Sequence, residues 1–113
     1  MLVAYDAHLT EHLVGVPHPE QPDRVRAVAR ELGRRGMLDE RIDSAVAQPH
    51  ELARVHTWRY VELVRRECVS LEWADAELLS TGDATIDTGS YDAAARAVGG
   101  TLAALERVCA ERR

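Results

Sequence analysis

The longest periodic stretch of the sequence, residues 90–109, limits the possible folds more than any other feature. Its apolar residues recur in steps of three or four, which is the spacing of one face of an α-helix. They are Tyr91, Ala94, Val98, Leu102, Leu105 and Cys109. Ser90 precedes them and is a favoured capping residue. Gly99 and Gly100 each cost a helix about 1 kcal/mol relative to alanine, so we expect them to allow close packing against another element.

Two shorter helices are predicted upstream of this stretch. Pro22 suits the first position of a helix, where its missing N–H is no loss, and Gly33 and Gly36 suit the end of that helix. Thr57 can cap a second helix through its hydroxyl oxygen. The apolar stripe of this second helix comprises Tyr60, Val61, Val64 and Cys68.

Strand signals are few and short. Residues 2–5 form an apolar run that suits a buried strand, and residues 42–47 are a weaker strand candidate. Residues 6–21 are predicted to form one long loop, residues 71–79 a helical turn or loop, and residues 80–90 a segment dense in turn-forming residues. Two short strands make a poor sheet by themselves, which indicates that the sheet is completed by more chain.

Composition excludes several classes of function. The net charge is −5 and all fourteen basic residues are arginine, dispersed among acids, which argues against nucleic acid as a partner. No apolar run approaches the roughly 20 residues that span a bilayer, and no secretory signal is evident. We therefore expect no membrane contact and a cytoplasmic location. Cys68 and Cys109 fall on apolar helix faces, where free cysteines act as small hydrophobes.

One short motif has metal-ligand spacing. His8, Glu11 and His12 match the inverted zincin pattern H-x-x-E-H. On an α-helix the two histidines would share one face and could bind zinc, with Glu11 as general base. The hypothesis of a small zinc hydrolase needs that helix and a third ligand. Gly15 and Pro17 follow closely and leave room for two helical turns at most, so a loop is the preferred interpretation.

Three ordered motifs carry a family resemblance. Residues 18–24 read His-Pro-Glu-Gln-Pro-Asp-Arg, and residues 55–61 read Val-His-Thr-Trp-Arg-Tyr-Val. Residues 82–94 read Gly-Asp-Ala-Thr-Ile-Asp-Thr-Gly-Ser-Tyr-Asp-Ala-Ala and lead to the Gly-Gly pair at 99–100. In order and spacing these segments resemble the N-terminal part of histone deacetylases and acetylpolyamine amidohydrolases.

The resemblance implies a fold and an activity. The fold is α/β: the N-terminal part of a three-layer α/β/α domain with a parallel sheet, shared with arginase and helix-rich in this segment. Family members use zinc to hydrolyse acetyl-amide bonds on lysine, polyamines or similar amines. By motif position, Asp83 would bind substrate at the rim and Arg24 would line the internal channel beneath the zinc. His18 would lie on the pocket rim.

The resemblance also implies that the chemistry lies outside these residues. The family's zinc ligands, tandem histidines and catalytic tyrosine follow the long helix, whereas residues 101–113 contain no His, Asp or Tyr. We therefore expect residues 1–113 to be a single partial domain with no catalytic residue and no metal ligand. Such a segment would bind no zinc and would be inactive alone. As part of a deacetylase, the segment would have a complementary C-terminal chain as its partner. The alternative is that the segment is a non-catalytic interaction or self-association module.

Overall fold

Helices make up most of the fold and begin where the sequence supplies a proline or a capping hydroxyl. The computed structural model describes residues 1–42, 45–73 and 75–111. Helix α1 spans Pro22–Arg34 with Pro22 at its first position. The short helix α2 spans Pro49–Leu52, and α3 spans Trp58–Ser70. The Thr57 hydroxyl accepts a hydrogen bond from the Tyr60 N–H at 3.2 Å. The predicted starts of α1 and α3 are thus confirmed.

Helix α4 spans Ser90–Glu111, but the predicted cap at Ser90 is wrong. Ser90 is the first helical residue, and its hydroxyl donates to Oδ1 of Asp87 at 2.9 Å. The same Asp87 oxygen accepts the N–H of Gly89 at 3.0 Å. The turn before the helix is therefore organised by the Asp87 carboxylate, because a carboxylate can accept more hydrogen bonds than a hydroxyl can.

The first half of α4 packs against a backbone segment, as its glycines predicted. A methyl group added at Gly99 would lie only 1.8 Å from the Ala45 carbonyl oxygen. The Ala47 N–H donates to the Ala95 carbonyl at 3.0 Å. Residues 45–47 thus cross the helix and are not part of a strand, so the predicted strand 42–47 is wrong over this part. Residues 43–44 lie outside the described residues.

Within the described parts of the chain, four two-residue strands form two small sheets. Strand β1 (Val3–Ala4) pairs in parallel with β2 (Arg41–Ile42), in agreement with the predicted parallel sheet. Strand β3 (Glu77–Leu78) pairs antiparallel with β4 (Thr85–Ile86). This hairpin contradicts the turn and loop predicted for residues 71–90. Its residues show no extended alternation, and the hairpin is closed by a turn in which Gly82 takes a φ of +83°, a value that suits glycine.

The main core lies where α3, the hairpin and the start of α4 meet. Cys68, Leu79 and Ile86 are buried there. The partly buried residues around them are Tyr60, Leu63, Val64, Leu71 and Tyr91. Cys68 is a small buried hydrophobe, as predicted. Cys109 is exposed, so its predicted burial is wrong: its helical face has no covering element among the described residues.

The segment predicted as one loop, residues 6–21, contains a single 3₁₀ turn at Ala7–Thr10. The Asp6 carboxylate caps this turn by accepting the His8 N–H at 2.9 Å. Across the parts of the chain that the structure describes, no helix has the length and apolar character needed to cross a bilayer.

Candidate functional site

A cleft of about 570 Å³ lies between β1, the 3₁₀ turn and α1. Arg24 lines it from the first turn of α1, together with Tyr5, His12 and Glu20. The apolar part of the wall consists of Val3, Ala4, Leu9, Val25, Val28, Ala29 and Leu32. The structure therefore places Arg24 beside a cavity in which a permanent positive charge faces mostly aliphatic side chains.

The guanidinium of Arg24 makes one long hydrogen bond, from Nη1 to the Pro19 carbonyl at 3.3 Å. A guanidinium carries five N–H donors, so this contact leaves most of its donors for other acceptors. The neighbouring carboxylate of Asp23 is paired with Arg26 at 2.8 Å. Arg24 thus retains the capacity to bind an anion or a carbonyl oxygen in the cleft.

His12 shares the cleft with Arg24, and its place there was not predicted from the sequence. The H-x-x-E-H pattern singled it out as a metal ligand only. His12 follows the 3₁₀ turn, and that turn packs against α1, so both line the same cleft. A turn of this type has no periodic signal, so His12 could not be placed beside Arg24 from the sequence.

His18, predicted at the pocket rim, is half-buried and does not line the cleft of Arg24. Its Nδ1 accepts the N–H of Glu20 at 3.1 Å. This local bond fixes the ring within the turn that leads into α1, since one of its two nitrogens is held by the backbone.

Asp83 lies at the exposed tip of the β3–β4 hairpin. One of its oxygens accepts the Thr81 hydroxyl at 2.6 Å. The turn is closed by two backbone bonds, from Gly82 N–H to Leu79 and from Leu79 N–H to Ala84, each of 2.7 Å. Asp83 is thus held on an ordered turn, but it does not line the same cavity as Arg24.

Two carboxylates attach residues 6–21 to α4 and to the turn that precedes it. The Asp87 Oδ2 accepts the N–H of Leu13 at 2.5 Å. Asp6 pairs with Arg96 at 3.0 Å, and only 16% of its side chain is exposed. Burial raises the pKa of Asp6, but hydrogen bonds from the His8 backbone and ring and from Arg96 outweigh it and lower this pKa from 3.8 to about 2.

The zinc-hydrolase hypothesis for His8, Glu11 and His12 requires an α-helix, and the structure has a 3₁₀ turn there instead. The 3₁₀ turn ends at Thr10, so His8 and His12 are not placed on one α-helical face. The His8 ring is held 2.7 Å from the Asp6 carboxylate. Within residues 1–42, 45–73 and 75–111, no group of three His, Cys, Asp or Glu side chains could hold a metal ion.

Comparison with known proteins decides the family. The model of a family described as "Histone deacetylase domain" matches residues 18–113, which contain all three motifs. The chain belongs to the histone deacetylase domain family. No curated protein matches it.

A solved structure agrees with this membership. The chain is similar to the crystal structure of the HDA15 HD domain, with a TM-score of 0.73 and 27% sequence identity. The likeness covers 88% of this chain and 29% of that one. The α/β fold expected for the N-terminal part of a deacetylase domain is thereby confirmed. The chain spans less than a third of the length of that relative.

Histone deacetylase domains are zinc-dependent as a family, and we tested whether the described residues fit a zinc ion. Zinc takes three or four Cys, His or carboxylate ligands. The described part of the chain provides no such group. The donor set therefore does not fit a metal site formed by these residues alone.

Proposed function

We propose that residues 1–113 form the N-terminal part of a zinc-dependent deacetylase that hydrolyses acetyl-amide bonds, with acetyl-lysine, an acetylpolyamine or a similar amine as substrate. The observation that carries the proposal is the family match over residues 18–113, which spans all three motifs. In this proposal the zinc ligands and catalytic residues lie outside the described residues, and residues 1–113 alone are inactive.

Asp83 is proposed as the substrate-binding residue. Its carboxylate is exposed at the tip of a hairpin, and an ionised carboxylate offers about four acceptor positions. The Thr81 hydroxyl uses one of them. The remaining positions suit the N–H groups of a peptide or the ammonium groups of a polyamine.

Arg24 is proposed to line an internal channel. The acetate released by deacetylation is a small anion, and a guanidinium binds carboxylates through two parallel hydrogen bonds. The rest of the cleft wall is mostly aliphatic, and Arg24 is the one permanent positive charge among the residues that line it. His18 is proposed to shape the pocket rim without contacting the reacting atoms.

The cellular location of the protein, and the absence of nucleic acid and membrane among its partners, are proposals as well. We propose that the protein binds no nucleic acid, because its net charge is −5. We also propose that it is cytoplasmic and binds no membrane, because its sequence has no apolar run long enough to span a bilayer. A complementary C-terminal chain, or the same chain extended, is the proposed partner of the apolar helix faces.

Self-association is a second candidate, favoured by one observation. The C-terminal half of α4 exposes 58% of Leu105 and 46% of Val108, and adjacent exposed apolar side chains favour association. Sedimentation equilibrium over a wide concentration range tests this candidate. A monomer at every concentration would exclude it.

The deacetylase proposal is tested on the polypeptide recovered from the source cells. Its intact mass, zinc content and release of acetate from an acetyl-lysine peptide and from acetylspermidine are measured together. We expect a mass above 12.5 kDa or a co-purifying chain, stoichiometric zinc and activity. Asp83→Asn should raise KM, whereas Asp75→Asn, an exposed aspartate outside the motifs, should not. Absence of both zinc and activity would refute the proposal.

A further inference from the structure

Leu13 has a backbone conformation that needs an explanation. Its φ is +50°, in the left-handed region that a branched side chain rarely adopts. The side chain is nevertheless almost fully buried, with 1% of its surface exposed. A residue keeps such a conformation only where its surroundings hold it there.

The surroundings that hold Leu13 come from the turn before α4. Oδ2 of Asp87 accepts the Leu13 N–H, and Oδ1 of the same carboxylate accepts from Gly89 and Ser90. Asp87 therefore uses both of its oxygens to join two segments that are 74 residues apart in the sequence.

Gly89 brings the two segments into direct backbone contact. A Cβ at this position would lie 2.3 Å from the Glu11 carbonyl oxygen and 3.4 Å from its carbon. The contact partner is backbone, which cannot rotate away as a flexible side chain can. Only glycine at position 89 lets residues 11–13 approach this closely.

The joined segments are the two that carry the proposed rim residues. Leu13 lies five residues before His18, and Asp87 directly follows β4, whose other end leads to Asp83. The hairpin is also anchored to α3, because both the N–H and the hydroxyl of Ser80 donate to the Glu67 carboxylate. The contacts of Asp87 and Gly89 with residues 11–13 thus join the start of the segment 11–18 to this anchored hairpin.

We propose that Asp87 is a positioning residue: it holds the rim segment, residues 11–18, in one fixed place relative to the hairpin that carries Asp83. The consequence for substrate binding rests on the deacetylase function proposed above. The attachment itself does not, because it consists of contacts within residues 11–13 and 87–90.

Amide hydrogen exchange tests the attachment in the 113-residue chain. Asp87→Ala should speed exchange of the Leu13 amide on the order of tenfold or more, because a hydrogen bond to a charged group is lost. Asp87→Asn keeps an acceptor oxygen and should restore most of the protection. Asp75→Ala is the control and should change nothing. Equal Leu13 protection in wild type and Asp87→Ala would overturn the proposal.

A second variant separates positioning from a general loss of structure. Gly89→Ala leaves Asp87 intact but forces Glu11 away, so it should also expose the Leu13 amide. Far-UV circular dichroism reports the helices, and amides of α3 report the core. Release of residues 11–18 with these signals unchanged supports the proposal. Uniform loss of protection throughout the chain would mean that Asp87 has only a structural role, and would overturn it.

Steady-state kinetics on the deacetylase purified from the source cells tests the consequence for substrate. Asp87→Ala should raise KM for an acetyl-lysine peptide several-fold with kcat nearly unchanged, and Asp87→Asn should recover most of the loss. An equal fall in kcat would overturn the positioning role. If wild type has no deacetylase activity, the proposed function fails, while the exchange of the Leu13 amide still decides the attachment.

Discussion

The two halves of α4 share one apolar pattern but have different surroundings. In the first half, Ala93 and Ala95, which lie beside the pattern residues, are buried, and Gly99 lies against the carbonyl of Ala45. In the second half, Leu105 and Val108 are roughly half exposed. The spacing of apolar residues is equally regular in both halves.

The difference shows that the apolar face of a helix and its buried face are two separate properties, although a periodic sequence pattern is read as if they were one. The pattern reports which face of a helix is apolar, but it does not report which face is covered. Ala94 belongs to the pattern and is exposed, whereas its neighbours Ala93 and Ala95 lie outside the pattern and are buried. In the first half the small residues admit a neighbouring backbone, and the hydrogen bond between Ala47 and Ala95 marks the contact. In the second half the larger residues have no such neighbour within the described chain.

Gly99→Ala should have the largest effect, because it acts on the tightest contact of the covered half. The new methyl group would meet the Ala45 carbonyl oxygen at 1.8 Å and its carbon at 2.9 Å. We expect a loss on the order of 4 kcal/mol in the free energy of unfolding, measured by urea denaturation. Such a loss is a large part of the stability of a small domain.

Gly33→Ala in α1 is the matched control for that substitution. The added methyl group would meet only the Leu38 side chain, at 3.7 Å, which is an ordinary contact. Since alanine favours the helix by about 1 kcal/mol over glycine, this variant should be as stable as wild type or more stable. Similar losses in both variants would mean that helix packing at Gly99 is not the cause.

Leu79→Ala should have the next largest effect, because it opens a hole in the main core. Leu79 is 2% exposed and packs with Cys68 and Ile86. Truncation of a buried leucine removes its transfer free energy and leaves a cavity. We expect a loss of about 3 kcal/mol by urea denaturation. A loss below about 1 kcal/mol would show that the hairpin is not firmly packed on α3.

The parts of the fold that the sequence predicted are those fixed by local chemistry. Pro22 and Thr57 begin helices because their effects are confined to one turn. The hairpin at residues 77–86 was missed because its strands are two residues long, too short for an alternating pattern. It is held instead by the turn at Gly82 and by burial of Leu79 and Ile86, which depend on tertiary contacts.

The sequence identified individual candidate residues of the site but not how they are arranged in space. The motifs singled out Arg24, Asp83 and His18, and their roles stay predictions. That Arg24 lines a cleft with His12 could not be derived, because it depends on how the 3₁₀ turn packs against α1. The attachment through Asp87 was missed for the same reason: a short Asp-Thr-Gly-Ser segment is typical of any turn, and its partner Leu13 is distant in sequence.

Protonation of Asp6 tests the attachment of the N-terminal segment to the covered half of α4. The folded pKa of Asp6 is about 2, below its ordinary value of 3.8. Its contribution is therefore fully present above pH 4 and is lost as pH falls toward 2. We expect Asp6 to contribute on the order of 2 kcal/mol at pH 6. Urea denaturation of Asp6→Asn should show this loss at pH 6 and little of it near pH 2, and equal losses at both would contradict it.

Leu105→Ala should have the smallest effect, since it acts on the uncovered half of α4. Leu105 is 58% exposed, and a surface substitution of this kind changes stability by less than about 0.5 kcal/mol. Urea denaturation at two protein concentrations measures it, with Leu79→Ala as the buried counterpart. If Leu105→Ala costs more than about 1 kcal/mol, and only at the higher concentration, a second copy covers this face. The two halves of α4 would then differ in when they are covered, because the first half is buried by its own chain and the second only on association.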